Sequence, residues 1–263
     1  MAHGLIHGVK HGVVHGVKHN LAATFGGIFV PQDGPGSVYV PATNAQFASR
    51  TGVTPTSIWL CQEASGNLAD VNGVNTLTQN ATGHLYQQAV SGWTRKAVAT
   101  VDGTANQKWV NITTAPNAGS VSVAMLAYIR TPPSAPAATR SMITCGTTLE
   151  HRVASGLIKA RFTVVAANTD SASNFADGTV RPVLVVYDRT NSAAVMYTNQ
   201  DVVTGTYGAG VTGINVSLGA GGATPGNAGY LYAAIWSGAS AEALRVTSAA
   251  RTFLQGLGWS IPW

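Results

Sequence analysis

The histidines have the clearest spacing of the side chains that could do chemistry. In the first twenty residues a histidine recurs every four positions, mostly followed by glycine, and five of the chain's seven histidines lie there. Histidines four apart share a helix face and can share a metal ion, but no carboxylate accompanies them. The repeat therefore has three interpretations: an assembly segment that packs against its own copies or a larger scaffold, a metal site, or a flexible tail. Its residues are His3, Gly4, His7, Gly8, His11, Gly12, His15, Gly16 and His19.

The carboxylates do not form a pattern typical of hydrolases. The three glutamates are Glu63, Glu150 and Glu242, and none lies within two residues of an aspartate. Retaining glycoside hydrolases need two acids about 5 Å apart. The G-x-S-x-G, H-E-x-x-H and P-loop motifs are absent, and His84 and His151 are predicted to be surface or satisfied residues. The sequence therefore predicts that the chain is not an enzyme.

The composition excludes several classes of protein. Charged residues make up only 10% of the 263 residues and hydrophobic ones 45%, whereas soluble domains average about 25% charged. A disordered chain and a charge-rich helical bundle are both excluded. The net charge is +5, but Arg95-Lys96 is the only basic pair, so we expect no nucleic-acid partner.

Neither a membrane span nor a signal peptide is expected. No window of 18 apolar residues exists, and the first twenty residues lack the continuous apolar core of a secretory signal. Cys61 and Cys145 each follow an apolar run, so they form either one disulfide or two buried thiols.

The sequence pattern predicts short strands separated by turns over most of the chain. One helix is predicted over 42–52 and another over 240–255. The frequent turn signals, such as VNG, DGT and RTNS, favour a sandwich or barrel. Strands are predicted near 57–62, 74–79, 84–90, 97–102, 107–112, 120–130, 140–145, 157–167, 180–188, 193–198, 201–204, 213–218 and 229–236.

Several of these segments resemble laminin-G-like, concanavalin A-like jelly rolls. The similarity covers about residues 55–255 and appears in the family's order. It implies an all-β fold of two antiparallel sheets with a concave ligand-binding side, followed by a short C-terminal helix. The segments are TSIWLCQEASGNLADVNGVNTLTQN, SVSVAMLAYIR, RPVLVVYDRTNSAAVMYTNQ and INVSLGAGG followed by GYLYAAIWSGASAEALRVTSAARTFL.

The resemblance also suggests ligands. Family members often bind calcium through loop aspartates, which points to Asp70 and Asp102, although both also fit ordinary turns. Sugar binding needs an exposed aromatic ring, and Trp93, Trp109 and Tyr207 lie in or beside turn-like segments. For each of them burial is the competing interpretation. Trp59 and Trp236 lie in apolar strands and are predicted to be core residues.

Together these features predict a displayed structural protein. We divide the chain into a His-Gly repeat assembly segment (1–23), a linker with a short strand and helix (24–54) and a jelly roll (55–263). The expected role is non-enzymatic, on a phage-like virion or an extracellular surface filament. The expected partner is the chain itself, as a homo-oligomer such as a trimer, or a larger scaffold. The alternative is a carbohydrate-binding lectin or adhesin module.

Overall fold

Two antiparallel β-sheets and three helices make up the described part of the chain. A computed structural model describes residues 33–101, 107–110, 122–134, 140–145, 149–154, 156–162, 168–206, 216–219 and 228–263. Sheet 1 contains β1 (Ser57–Trp59), β3 (Leu85–Gln88), β4 (Ala97–Ala99), β6 (Val123–Arg130), β11 (Val180–Asp188), β12 (Ala193–Thr198), β13 (Val202–Thr206) and β15 (Gly229–Ser237). Sheet 2 contains β2 (Thr78–Gln79), β5 (Lys108–Val110), β7 (Arg140–Cys145), β8 (Leu149–Ala154), β9 (Leu157–Phe162), β10 (Asn168–Asn174) and β14 (Val216–Gly219).

The strand order of both sheets is far from the sequence order. Sheet 1 runs β13-β12-β11-β6-β15-β4-β3, with β1 also paired to β15, and sheet 2 runs β10-β9-β8-β7-β14-β5-β2. All the strand pairs within them are antiparallel. The predicted all-β fold, a sandwich of two antiparallel sheets followed by a C-terminal helix, is thereby confirmed.

The central strand β6 is buried on both faces, as its uninterrupted apolar run predicts. Met125 and Ile129 belong to an inner core between the two sheets. Leu126 and Tyr128 point the other way and belong to an outer core on the far face of sheet 1. Because successive side chains of a strand alternate between faces, an all-apolar strand needs a cover on both sides.

Helices and chain ends provide the outer cover of sheet 1. The helices are α1 (Asn44–Thr51), α2 (Ala239–Ala243) and α3 (Thr247–Gly256). Phe47 of α1 and Phe253 of α3 pack edge-on against Trp236, each with ring centroids 5.3 Å apart. Burying one such ring stabilises the fold by about 1.5–3 kcal/mol. The apolar C-terminal tail folds back onto the same face and places Trp259 and Ile261 in the outer core.

Helix α1 begins and ends at signals that are visible in the sequence. The Thr43 side chain caps it by accepting the Gln46 backbone N–H at 3.3 Å. It ends at Gly52, whose left-handed φ of 75° suits glycine. The predicted helix at 42–52 is thus correct to within two residues.

The structure departs from the predicted elements at three places. Strands β8 and β10 were not predicted, because runs such as NTDSASN lack apolar alternation and gain their pairing only from neighbouring strands. The helix predicted at 240–255 is divided into α2 and α3. At the break, Arg245 Nε lies 2.5 Å from the buried Asp188 carboxylate. Residues 38–40 and α1, predicted as part of a linker, contribute Val38, Val40 and Phe47 to the outer core and so belong to the folded body.

Cys61 is a free, buried thiol rather than half of a disulfide. It lies just beyond β1, where its Sγ is 3.8 Å from the Trp59 carbonyl oxygen. Burial raises the pKa of this thiol well above its usual value, so it is held in the protonated form. The side chain of Cys145 lies outside the described residues.

No helix in the described ranges is long and apolar enough to cross a membrane.

Candidate functional site

Trp109, predicted as a sugar-binding ring, lies in the inner core. Its ring has no exposed surface, and its Nε1–H donates to the Gly66 carbonyl at 3.1 Å. The rings of His84 and Tyr86 pack against it at centroid distances of 4.2 and 5.9 Å. A ring enclosed in this way offers no face to a sugar, so the prediction for Trp109 is wrong. The reason is that β5 pairs with two strands and turns this side chain inward.

Asp70, predicted as a calcium ligand, organises its own turn instead. Its Oδ1 accepts backbone N–H groups of Ile58 and Asn72 at 2.9 and 3.0 Å. Its Oδ2 accepts those of Val74 and Asn75 at 3.0 and 2.8 Å. A carboxylate has about four lone-pair positions, so calcium at this residue would have to displace these donors.

Several predicted residues lie outside the described ranges. These are Tyr207, Asp102 and the histidines and glycines of the repeat, from His3 to His19. Within the described ranges, no group of three or more His, Cys, Asp or Glu side chains could hold a metal ion. Calcium binding stays a prediction.

Trp93 is the predicted aromatic residue that keeps accessible surface in the described part of the chain. It closes the turn between β3 and β4, where its backbone N–H donates to the Val90 carbonyl at 3.1 Å. Its ring centroid lies 6.1 Å from those of Tyr128 and Trp259. Gly34 covers part of the ring, because a Cβ on Gly34 would lie 2.7–2.8 Å from three ring carbons. The remaining indole surface is half-exposed at the margin of the outer core.

Asp33 fixes the chain segment that lies against Trp93. Its carbonyl oxygen accepts the Thr94 backbone N–H at 3.1 Å, and its Oδ2 accepts that of Val40 at 3.0 Å. Its Oδ1 lies 4.0 Å from Nη1 of Arg95. Burial raises the pKa of Asp33, although the hydrogen bond from the Val40 N–H and the positive charge of Arg95 act to lower it. These contacts hold the backbone at Gly34 against the indole.

Arg130 lies on the same outer face of sheet 1, at the end of β6. It is two positions beyond Tyr128, about 7 Å along the strand. Its cross-strand partners are Val180 and Gly229. Because Gly229 has no side chain, Arg130 lies across it, and a Cβ there would be 3.3 Å from Arg130 Nε and 3.4 Å from the Ala97 Cβ.

The charge of Arg130 is not neutralised by any residue that the structure describes. Its Nε is buried without a hydrogen-bond partner, and the ion pairs formed by described residues do not include it. A guanidinium in this state can donate to an incoming carboxylate as a two-pronged fork. We call Trp93 and Arg130, together with the buried residues Tyr128 and Gly229 against which they pack, the outer-face patch.

This side of the molecule is rich in arginines. Arg50 lies over the Tyr39 ring at 3.9 Å, and Arg95 contacts Asp33 at 4.0 Å. A surface with such an excess of cations attracts anions. The four arginines are Arg50, Arg95, Arg130 and Arg251.

Arg130 is not among the residues predicted from the sequence, although its place at the end of an apolar run is visible there. It is the first charged residue after the apolar run SVSVAMLAYI, and so it marks the end of a buried strand. Its position over Gly229 follows from the β6–β15 register, which spacing along the chain does not reveal.

A shallow groove of about 330 Å³ lies on the helical side. Its lining is mostly apolar with a few hydroxyl groups, and it offers no charged side chain. The lining residues are Thr51, Val53, Ala243, Leu244, Ser248, Ala249, Thr252 and Phe253.

The carboxylates of Glu63 and Glu242 are engaged in separate structural contacts. Glu63 Oε1 accepts the Ala69 backbone N–H at 2.9 Å. Glu242 Oε1 accepts the hydroxyls of Ser122 and Thr190 at 2.7 and 2.6 Å. The side chain of Glu150, the third glutamate, lies outside the described residues.

The chain is similar in fold to several solved structures. The chain is similar to Trypanosoma rangeli sialidase in complex with sialic acid, with a TM-score of 0.57 and 10% identity over 79% of this chain. It is also similar to the binding domain of botulinum neurotoxin DC in complex with SialylT, with a TM-score of 0.56 and 8% identity over 79% of this chain. The chain spans about a third of the sialidase (33%) and about half of the toxin chain (54%).

A second toxin structure gives the same result. It concerns botulinum neurotoxin type C, whose cell entry depends on interaction with two ganglioside molecules. Its TM-score is 0.52 and its identity 8%, over 81% of this chain and 55% of the toxin chain. No protein-family model matches the sequence, and no curated protein matches it. The jelly-roll resemblance is therefore supported at the level of a β-sandwich and not at that of a particular family.

The sialidase similarity corrects the prediction that the chain is not an enzyme. That prediction rested on short-range spacing of acids and on missing motifs, but the same fold occurs within the chain of a sialidase. Folding can bring distant residues together, so spacing alone does not exclude catalysis. At 8–12% identity the similarity shows the fold and assigns no catalytic residue.

Proposed function

We propose that this chain is a carbohydrate-binding module that holds glycans at the outer-face patch. The observation that carries the proposal is the half-buried indole of Trp93, which packs against Tyr128 at a ring-centroid distance of 6.1 Å. Two positions beyond Tyr128 on the same strand face lies Arg130, which has no ion-pair partner among the described residues. Aromatic rings with one apolar face and nearby polar donors suit sugars, whose C–H faces are apolar and whose edges are polar.

The fold supports the same proposal from a different direction. Two unrelated kinds of protein with this fold, a sialidase and botulinum toxin binding domains, were solved or described with sialic acid, SialylT or gangliosides. These ligands belong to those proteins. Their recurrence on one fold makes glycans the first ligand class to test here.

A glycan array with the full chain, followed by titration calorimetry on the best ligands, tests the proposal. The decisive variant is Trp93→Ala, which removes the ring but leaves β3 and β4 in place. Trp263→Ala is the matched control, because Trp263 is also half-buried and packs on the outer core through Tyr197 at 5.3 Å. We expect Trp93→Ala alone to weaken binding, by about tenfold or more. An array without any bound glycan would refute the proposal, as would equal losses in both variants at equal stability.

Calcium enters the same experiment as a separate arm. If Asp102, with or without a rearranged Asp70, holds an ion that shapes the glycan site, chelation lowers affinity and added calcium restores it. Binding that is unaffected by chelation would remove calcium from the proposal.

The display role on a virion or surface filament, and self-assembly through residues 1–23, remain predictions. The comparisons give them no support, and the repeat lies outside the described residues. Light scattering of the full chain and of a chain lacking residues 1–32 tests the assembly part.

A further inference from the structure

We propose that the outer-face patch selects sugars that carry a carboxylate, with the Arg130 guanidinium as the group that binds it. The inference rests on the proposed glycan-binding function and adds the chemical class of the ligand.

The first argument is the geometry of Arg130. Its Nε would lie 3.3 Å and its Cβ 3.4 Å from a Cβ at the cross-strand residue Gly229, so the side chain passes over this glycine. Preorganised donors lose less freedom on binding than a mobile surface lysine would. A planar guanidinium also matches the two oxygens of a carboxylate, which a neutral hydroxyl of a sugar does not.

The second argument is the missing counter-charge. The structure pairs Arg181 with Asp177 and Arg245 with Asp188, each at 2.5 Å. Arg130 has no such partner among the described residues, although its Nε is buried. The residue as a whole is half-buried, so its guanidinium offers an anionic ligand a position that no described acid occupies.

The third argument is the surrounding field. Arg95 and Arg130 both lie on the outer face. Among the described residues, Arg95 has one acidic partner, Asp33 at 4.0 Å, and Arg130 has none. Arg50 and Arg251 add further positive charge on the helices of this side. Attraction of this kind speeds association with anions and weakens as salt is added.

Four probes separate the carboxylate from other sources of affinity. They are lactose, 3′-sialyllactose, an oligosaccharide that ends in glucuronic acid, and lactose 3′-sulfate. The full chain is titrated with each at low and at physiological salt. We expect both carboxylated probes to bind at least tenfold more tightly than lactose, which corresponds to one charge-assisted hydrogen bond.

Three variants assign that preference to Arg130. Arg130→Gln should reduce the affinity for the carboxylated probes by about 10- to 100-fold and the affinity for lactose by about threefold at most, because only the carboxylate needs the positive charge. Arg251→Gln removes one positive charge from an exposed helix position. It should change the affinity for the carboxylated probes by less than about threefold, as expected for a distant charge screened by solvent and salt. Gly229→Ala leaves the charge in place but puts a Cβ 3.3 Å from Nε, and should also weaken the carboxylated probes. Thermal unfolding of each variant shows whether it is folded.

The outcomes distinguish this inference from the proposed function. If the wild type binds lactose as well as its carboxylated forms, or prefers only the sulfated probe, the inference is wrong and glycan binding stands. Equal losses in Arg130→Gln and Arg251→Gln would also overturn it, because general electrostatics would then explain the preference. If no glycan binds at all, the proposed function itself fails.

Discussion

Gly34 offers a sharp test of how Trp93 is held. Gly34→Ala introduces a Cβ at 2.7 Å from two carbons of the Trp93 ring and 2.8 Å from a third. Carbon atoms pack at about 3.5–4.0 Å, so the ring or the segment must move by close to 1 Å. The ring cannot simply swing away, because Tyr128 and Trp259 lie behind it. Overpacking of this kind costs about 1–3 kcal/mol of the free energy of unfolding.

The assay is a double-mutant cycle in urea. Gly34→Ala is measured in the wild-type chain and in Trp93→Ala, where no ring remains to clash. We expect the cost of about 1–3 kcal/mol to disappear in the second background. Gly36→Ala is the control, because a Cβ at Gly36 would have no other atom within 4 Å. The φ of Gly36 is 73°, so an alanine there adds about 1–2 kcal/mol of backbone strain, and this cost should be the same with and without the Trp93 ring. A Gly34→Ala cost that is the same with and without the indole would refute the packing described for Trp93.

Three further predictions concern the acids and the buried histidine. Asp70→Asn should cost at least about 2 kcal/mol of unfolding free energy in urea, since an amide cannot accept all four backbone N–H groups. Asp201→Asn should cost less, because the one amide oxygen that remains can still accept the single Ser173 N–H. Burial lowers the pKa of His84, so this side chain is protonated at lower pH in the folded state than in the unfolded chain. The free energy of unfolding should therefore fall as the pH drops below about 6.5. His84→Gln should lose less unfolding free energy than the wild type over the same pH range. For Asp177, hydrogen bonds from Thr179, Thr131 and Arg181 outweigh the effect of burial and lower the pKa to about 2. The contribution of Asp177 to the free energy of unfolding should be complete above about pH 4 and lost as the pH falls towards 2. If Asp177→Asn folds and loses stability in acid in the same way as the wild type, this assignment is contradicted.

The fold class could be predicted from the amino-acid sequence, because the signals for strands, turns and helix ends are local. The all-apolar run of β6 predicts a strand covered on both faces, and the inner and outer cores confirm it. Thr43 and Gly52 mark the ends of α1. Trp59 and Trp236, predicted as core from their strands, are buried.

Which side chains remain accessible to a ligand depends on strand pairing and packing, which the local sequence does not reveal. Trp93 and Trp109 look alike in the sequence, each beside a turn, yet strand pairing encloses Trp109 and leaves Trp93 at the margin of the outer core. Strands β8 and β10 depend on pairing partners rather than on their own pattern. Arg130 lies over Gly229 because two distant strands adopt one register, and a residue's charge partners depend on distances in space. Local pattern therefore determines which elements form, whereas register and packing determine which charges and rings remain for a ligand.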